Sequence, residues 1–412
     1  MSALAMLVKS NGFIVSGSDE IQSEITDYLA KRGIKIFIGH KKENITSDCD
    51  IVVYTLAATE SNPERIEARK MNIMQISYPE ALGEFTKHYK NILVAGTHGK
   101  STTAAMISKI LIDCGKDPTV VIGTKTGFLP HGNFRFGKSK WAVLEACEYR
   151  KAFLNLHPYI GVITNIDSDH LDYYKNSKNY FEAFKEFAAK IPANGYLIIN
   201  KNDKRSIKAA RFAKCKVIKI ALKEKINLSI PGAHNQLNAS LAITAASLTG
   251  CKTVNILESI KKYEGSWRRF EYKGKIGSAF IYDDYAHHPA EIKATLSAAR
   301  EKFPSAKILC VYQPHQYSRT KSFLKGFSRA FSDADKVIVP NIYDVIGRED
   351  KKKPITVAQF VKELSRHHKN VQNGHGFKNT INLIKKNLNI YDVIIIMGAG
   401  DVFKITQNLK SF

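Results

Sequence analysis

Short apolar runs rich in valine and isoleucine recur along this chain, each followed by a longer amphipathic stretch, and that alternation admits few folds. Runs of this kind are strands buried on both faces by the helices that connect them, which gives an α/β architecture of mostly parallel sheets. Candidate strands lie at 13–15, 34–38, 51–54, 91–95, 142–145, 161–164 and 196–199, then at 279–282, 308–312, 337–340 and 393–397. A chain of 412 residues exceeds one hydrophobic core, since domains run to roughly 100–200 residues. A polar stretch at 88–90 precedes a strong strand, and a new strand–helix series begins after 263–269. Three domains are therefore expected, at 1–88, 89–267 and 268–412, the first and third on a Rossmann-like plan.

The formal charge of +24 raises the question of nucleic acid. The lysines are spread over the whole chain, however, and no segment interleaves basic and aromatic side chains as a base-stacking platform does. A solvated basic surface that attracts polyphosphate substrates accounts for the excess, so no nucleic-acid partner is expected. The six cysteines are scattered without a CxxC pair, which argues against a disulfide framework or a zinc site. No apolar run reaches the roughly 18 residues that cross a bilayer, and the first residues lack a charged leader. The expectation is a cytoplasmic protein with no membrane insertion.

Residues 91–103 carry the clearest chemistry. A buried strand leads into Gly96, Thr97, His98, Gly99, Lys100, Ser101 and Thr102, where a helix begins. Such a glycine turn aims backbone N–H groups at a phosphate, and the helix dipole adds positive potential. Lys100 then suits the β- and γ-phosphates, and the Ser101 hydroxyl suits Mg2+. Val94 stands where the general pattern has its first glycine, so the loop relies on Gly96 and Gly99. A chance Gly-Lys-Ser in an ordinary turn competes, but the strand, two glycines, a lysine and three hydroxyls together favour ATP with Mg2+.

Further motifs follow in order: Thr164-Asn165-Ile166-Asp167-Ser168-Asp169-His170, Gly232-Ala233-His234-Asn235-Gln236-Leu237-Asn238 and Asp283-Asp284-Tyr285-Ala286-His287-His288-Pro289. Together with the phosphate loop they resemble the Mur ligases and their relatives, the folylpolyglutamate synthetases. Gln313-Pro314-His315-Gln316-Tyr317-Ser318-Arg319-Thr320 and Gly398-Ala399-Gly400-Asp401 are similar to the branch that adds L-alanine to UDP-N-acetylmuramate. Ser16-Gly17-Ser18-Asp19 and Asn62-Pro63-Glu64 fit the same family, so the resemblance covers nearly the whole chain. It implies a UDP-sugar domain, an ATP domain and an amino-acid domain, in a monomer or homodimer serving peptidoglycan synthesis. The implied chemistry is γ-phosphoryl transfer to a carboxylate, followed by attack of an amine on the acyl phosphate.

The resemblance also assigns roles. Ser101, Glu145 and His170 are implied Mg2+ ligands, and Lys100, Glu145, His170, Arg269 and His288 the catalytic set. Asn235 and Asn238, at i and i+3 of a helix, are implied on the adenine side, with Arg269 and Asp284 also on the nucleotide. Arg268 competes with Arg269 for that role, and Asp283 with Asp284. Ser18, Asp19, Asn165, Tyr285, His287, His315 and Arg319 are implied substrate contacts, Arg319 pairing with the carboxylate of L-alanine through its planar fork. Lys185 falls where some Mur ligases carry a carbamylated lysine, and it equally fits a solvated helix face.

Some features depart from the family pattern. The strand and glycine turn that cradle a UDP pyrophosphate are missing, and Met1 aligns just after them, as expected either from a start assigned too far downstream or from a shortened protein with weakened UDP binding. Cys147 stands where an acidic residue is common, Gln316 where an arginine is common, and 222–231 is short, as though a β-rich insertion were absent. A tripeptide-adding recycling ligase and a non-catalytic ATP-binding homologue are the competing readings.

Overall fold

The computed structural model describes residues 1–222, 224–344, 350 and 353–410. The chain forms two compact units, one of Met1–Asn227 with Leu237–Lys262 and the other of Leu228–Gln236 with Tyr263–Phe412.

The first unit opens with two parallel strand pairs, Ser16–Asp19 on Lys35–Ile38 and Ile51–Tyr54 on Met74–Ser77. Helices Ser2–Ser10 and Tyr78–Thr86 bury Leu4, Leu7, Ala81 and Leu82 in the same core. The expected strand at 13–15 does not form. Gly12 turns the chain at φ +88°, Phe13 and Ile14 are exposed, and the ladder begins at Ser16, where Lys35–Ile38 supplies partners. Apolar composition does not make a strand when no neighbouring edge satisfies its backbone.

A seven-stranded sheet follows, in the spatial order Lys216–Ile220, Tyr196–Asn200, Pro158–Ile163, Lys90–Ala95, Trp141–Glu145, Thr119–Val121 and Phe134–Arg135. All its pairings are parallel except the last. Ile92, Leu93, Val94, Val143, Leu144 and Val162 are fully buried, as strands covered on both faces must be. Helix Lys100–Asp113 leaves the central strand and is buried on nearly every side, which is why it lacks a charged stripe.

The second unit carries a six-stranded sheet in the order Glu271–Ile276, Ala279–Asp284, Val393–Met397, Ile308–Tyr312, Lys336–Val339 and Val371–Asn373. Only the first pairing is antiparallel. Every residue of Val393–Met397 is fully buried, and each such side chain contributes about 1.5–3 kcal/mol of transfer free energy. No helix among the described residues is long and apolar enough to cross a membrane.

Candidate active site

In the first unit, Lys90–Ala95 lies between Pro158–Ile163 and Trp141–Glu145, so the carboxyl ends of three adjacent parallel strands meet at one edge. Ligands of open α/β sheets bind at that edge. Gly96 leaves the central strand at φ +136°, and a Cβ on it would lie 2.0 Å from Thr164 Oγ1. Gly99 has φ +83°, and its Cβ would lie 2.5 Å from Asn238 Oδ1. Both positions require glycine. Gly96→Ala is expected to weaken nucleotide binding about tenfold or more, because the loop must shift to relieve the clash. Titration with a fluorescent ATP analogue measures this, and wild-type affinity would remove the loop from the binding site.

The rest of the loop is pinned from the 164–170 segment. Asn165 brackets the His98 peptide, accepting from its N–H at 3.0 Å and donating to its carbonyl at 2.9 Å. The Asn165 amide thus holds the loop, one of the two roles its place in the motif suggests, the other being a reach to substrate phosphate. Thr164 Oγ1 donates to the His98 carbonyl at 2.6 Å, and Thr97 Oγ1 accepts from Asp167 N–H at 2.8 Å. Ser101 Oγ donates to Glu145 Oε1 at 2.9 Å, and the other Glu145 oxygen accepts from Gly123 N–H at 2.7 Å. Thr102 is buried in the first turn of the helix.

Lys100 Nζ donates to the carbonyls of Gly96 at 2.6 Å and Thr97 at 3.1 Å, and it lies 3.0 Å from Glu148 Oε2. Burial alone would raise the Glu148 carboxyl, but the charge of Lys100 and the hydrogen bond and charge of His170 hold it below the usual carboxylate range. Lys100 is raised above the ordinary ammonium range, the carboxylates around it outweighing its burial. The pair is thus ionised at neutral pH. His170 Nε2 lies 3.5 Å from Glu148 Oε1, and the His170 backbone N–H donates to Asp169 Oδ1 at 2.7 Å. Of the three expected metal ligands, Ser101 and Glu145 touch, while His170 turns to Glu148. Lys185 pairs with Glu182 at 2.6 Å on a helix face, with its ammonium 4.3 Å from the Phe212 ring. Asn238 is buried beside Gly99, and Asn235 donates to the Pro231 carbonyl at 2.7 Å.

In the Ser16–Asp19 region, Ser18 Oγ donates to Glu64 Oε2 at 2.8 Å and lies 3.0 Å from His40 Nδ1. Asp19 is exposed at the carboxyl end of its strand.

In the second unit, neighbouring arginines separate cleanly. Arg268 is buried, its Nε 3.0 Å from Asp283 Oδ1 and its remaining nitrogens on the carbonyls of Gly400 at 3.1 Å and of Gly398. Burial pushes the Asp283 carboxyl up to about 6, against the lowering effect of Arg268. Arg269 is half-buried, with its guanidinium 5.1 Å from the Tyr285 ring. Asp284 is buried and accepts from Phe270 N–H at 2.7 Å, Ala286 N–H at 2.8 Å and Thr295 Oγ1 at 3.1 Å. His288 caps helix Pro289–Lys302, accepting from Ala290 N–H at 3.3 Å, and its ring packs edge-on to Phe323. His287 lies 3.3 Å from Glu291 and 5.9 Å, ring to ring, from His315, which stacks on Tyr343. Arg319 stands half-buried on the Tyr317–Ser322 helix, which Gln316 opens at φ +64°.

Three profiles span most of the chain: the Mur ligase family catalytic domain at residues 1–90, the Mur ligase middle domain at 94–227 and the Mur ligase glutamate ligase domain at 268–400. The chain belongs to the Mur ligase family. It is 41% identical to the UDP-N-acetylmuramate–L-alanine ligase of Clostridium acetobutylicum, over 100% of this chain and 95% of that protein. It is 38% identical to the enzyme of the same name from Clostridium novyi, over 99% of this chain and 94% of that one. Its fold matches the crystal structure of a UDP-N-acetylmuramate-alanine ligase from Thermotoga maritima with a TM-score of 0.81 at 27% identity, covering 100% and 96% of the two chains. A murein peptide ligase from Psychrobacter arcticus shares the fold, with a TM-score of 0.73 at 22% identity and coverage of 100% and 96%. The three-domain α/β fold expected from the sequence is the Mur ligase fold.

Sequence reasoning overlooked two polar hubs in this Mur ligase. Glu148 is fully buried between Lys100 and His170. Its signal was a second acid three residues beyond Glu145, masked by the unusual Cys147 beside it. Gln313, quoted only as a motif position, is fully buried and donates to Asn341 Oδ1 at 3.0 Å and Asp401 Oδ1 at 2.9 Å, while accepting from Val402 N–H at 3.1 Å. It ties the end of one strand to the glycine turn after another, so the two motifs meet in one hydrogen-bond network.

Proposed function

We propose that this Mur ligase uses ATP and Mg2+ to join L-alanine to UDP-N-acetylmuramate through an acyl phosphate, a step of peptidoglycan synthesis. The observation that carries the reading is identity of 38–41% over essentially the whole chain with enzymes named for that reaction. We assign the UDP sugar to residues 1–88, ATP to 89–267 and the amino acid to 268–412.

The Ser101 hydroxyl and Glu145 carboxylate, 2.9 Å apart at the exit of the phosphate loop, are hard oxygen donors that suit Mg2+. When bound, that ion supplies neutralisation of phosphate charge. Lys100 offers its ammonium to the transferring phosphoryl group, and the loop N–H groups hold the phosphates in place, so positioning and charge lower the barrier. Asn238 beside the loop and Asn235 on the same helix serve the adenine side, with Arg269 on phosphate. Tyr285, His287, His315 and Arg319 form the amino-acid side, where a planar guanidinium matches a carboxylate.

Phosphate release from ATP and UDP-N-acetylmuramate is expected to depend on L-alanine. Preference for an intact tripeptide would reassign the substrate, and nucleotide binding without amino-acid-dependent release would make the chain a non-catalytic homologue. Arg319→Lys keeps the charge but loses the fork. It is expected to raise KM for L-alanine about tenfold to a hundredfold with a smaller change in kcat. An unchanged KM would release Arg319 from that role.

A further inference from the structure

Glu148 exposes no surface, and a buried carboxylate is costly unless charges and hydrogen bonds compensate it. Its compensation comes from three separate segments. Lys100, closing the phosphate loop, lies 3.0 Å from Oε2. His170 Nε2 lies 3.5 Å from Oε1, and Tyr180 OH donates to the same oxygen at 3.1 Å. The Tyr180 hydroxyl also lies 2.9 Å from Thr97 Oγ1 in the loop, and the Tyr174 hydroxyl donates to the Glu148 carbonyl. His170 itself sits at φ +52°, a left-handed conformation uncommon for non-glycine residues.

We propose that Glu148 is a positioning residue that couples the phosphate-binding lysine to the His170 side of the metal site, so that nucleotide and divalent cation are bound in register. A carboxylate shared by a lysine and an imidazole fixes both side chains at once, and Tyr180 extends the link to the loop backbone through Thr97. Partners of this kind orient metal ligands, and losing one costs about 10–100-fold in metal affinity. The inference rests on the proposed function only in taking the loop as the nucleotide site and His170 as a metal ligand. The identity of the amino acid does not enter it.

The test uses the full chain as wild type, Glu148→Gln, Glu148→Asp and Tyr180→Phe. A fluorescent ATP analogue is titrated with Mg2+ and with EDTA, Mn2+ binding is followed by electron paramagnetic resonance, and thermal melting reports folding. Glu148→Gln is expected to weaken Mn2+ binding and Mg2+-dependent nucleotide binding about tenfold or more, while affinity in EDTA changes less than about threefold. Glu148→Asp should recover part of the loss, and Tyr180→Phe should show the same pattern more weakly. Wild-type Mn2+ affinity in folded Glu148→Gln, or equal loss of nucleotide affinity with and without metal, would overturn the proposal. If Glu148→Gln does not fold, Tyr180→Phe decides, because it keeps the carboxylate, and wild-type Mn2+ affinity there overturns the proposal equally. A wild type that binds nucleotide and Mn2+ but does not use L-alanine would refute the proposed function and leave the role of Glu148 standing.

Discussion

Lys100→Ala is expected to lower kcat about a thousandfold, the effect of removing one preorganised charge from a phosphoryl-transfer site. That loss corresponds to about 4 kcal/mol of transition-state stabilisation. The same change takes from Glu148, whose carboxylate has no exposed surface, its ammonium partner 3.0 Å away and leaves only His170 and Tyr180 to compensate it. Breaking a buried pair from one side typically costs about 3–5 kcal/mol of stability. The single variant therefore confounds chemistry with folding. Lys100→Ala combined with Glu148→Gln removes the under-compensated buried charge, so its melting temperature should rise above that of Lys100→Ala while turnover stays low. Rapid-quench measurement of phosphate release beside calorimetry separates the two effects. Recovery of turnover in the double variant would mean that Lys100 acts only through stability.

The Lys100 pair also shows where the sequence was legible and where it was not. Glycines at 96 and 99, a lysine and a serine announce a phosphate loop because the chemistry demands those types at fixed spacing, and the structure gives both glycines positive φ and crowded surroundings. Glu148 carried no such signature, since a carboxylate is recognisable as a hub only once a lysine 48 residues upstream and a histidine 22 residues downstream are seen to converge on it. Long buried strands such as Val393–Met397 were legible for a similar local reason. Thr119–Val121 is only three residues long, and Lys216–Ile220 at the sheet edge is broken by lysines at 216 and 219, so neither stood out as an apolar run. At 13–15 composition pointed to a strand that pairing did not support. His288 and Asp284 matched a functional motif, yet much of their hydrogen bonding holds a helix start and a turn. A motif of one family mixes residues that shape the site with residues that use it.

The neighbouring arginines make that distinction measurable. Arg268 and Asp283 are both nearly without exposed side-chain surface, and the remaining Arg268 nitrogens satisfy two carbonyls of the turn after Val393–Met397. Arg268→Ala leaves a buried carboxylate and two carbonyls without their donor, so a loss of about 3–5 kcal/mol is expected. For a unit of this size that lowers its melting temperature by roughly 10 °C, read by calorimetry as a shift of the second unit's transition. Replacing both partners, Arg268→Met with Asp283→Leu, removes the charges together and should be less damaging than the single change. A double variant as unstable as the sum of the singles would show that packing, and not the uncompensated charge, dominates. Arg269→Ala gives the opposite signature: its half-buried guanidinium rests on the Tyr285 ring, so melting should shift by less than about 2 °C while kcat/KM for ATP falls about a hundredfold. If Arg268→Ala instead melts like wild type and loses turnover, the roles of the two arginines are exchanged, because a side chain that holds the fold cannot be removed without a thermal cost.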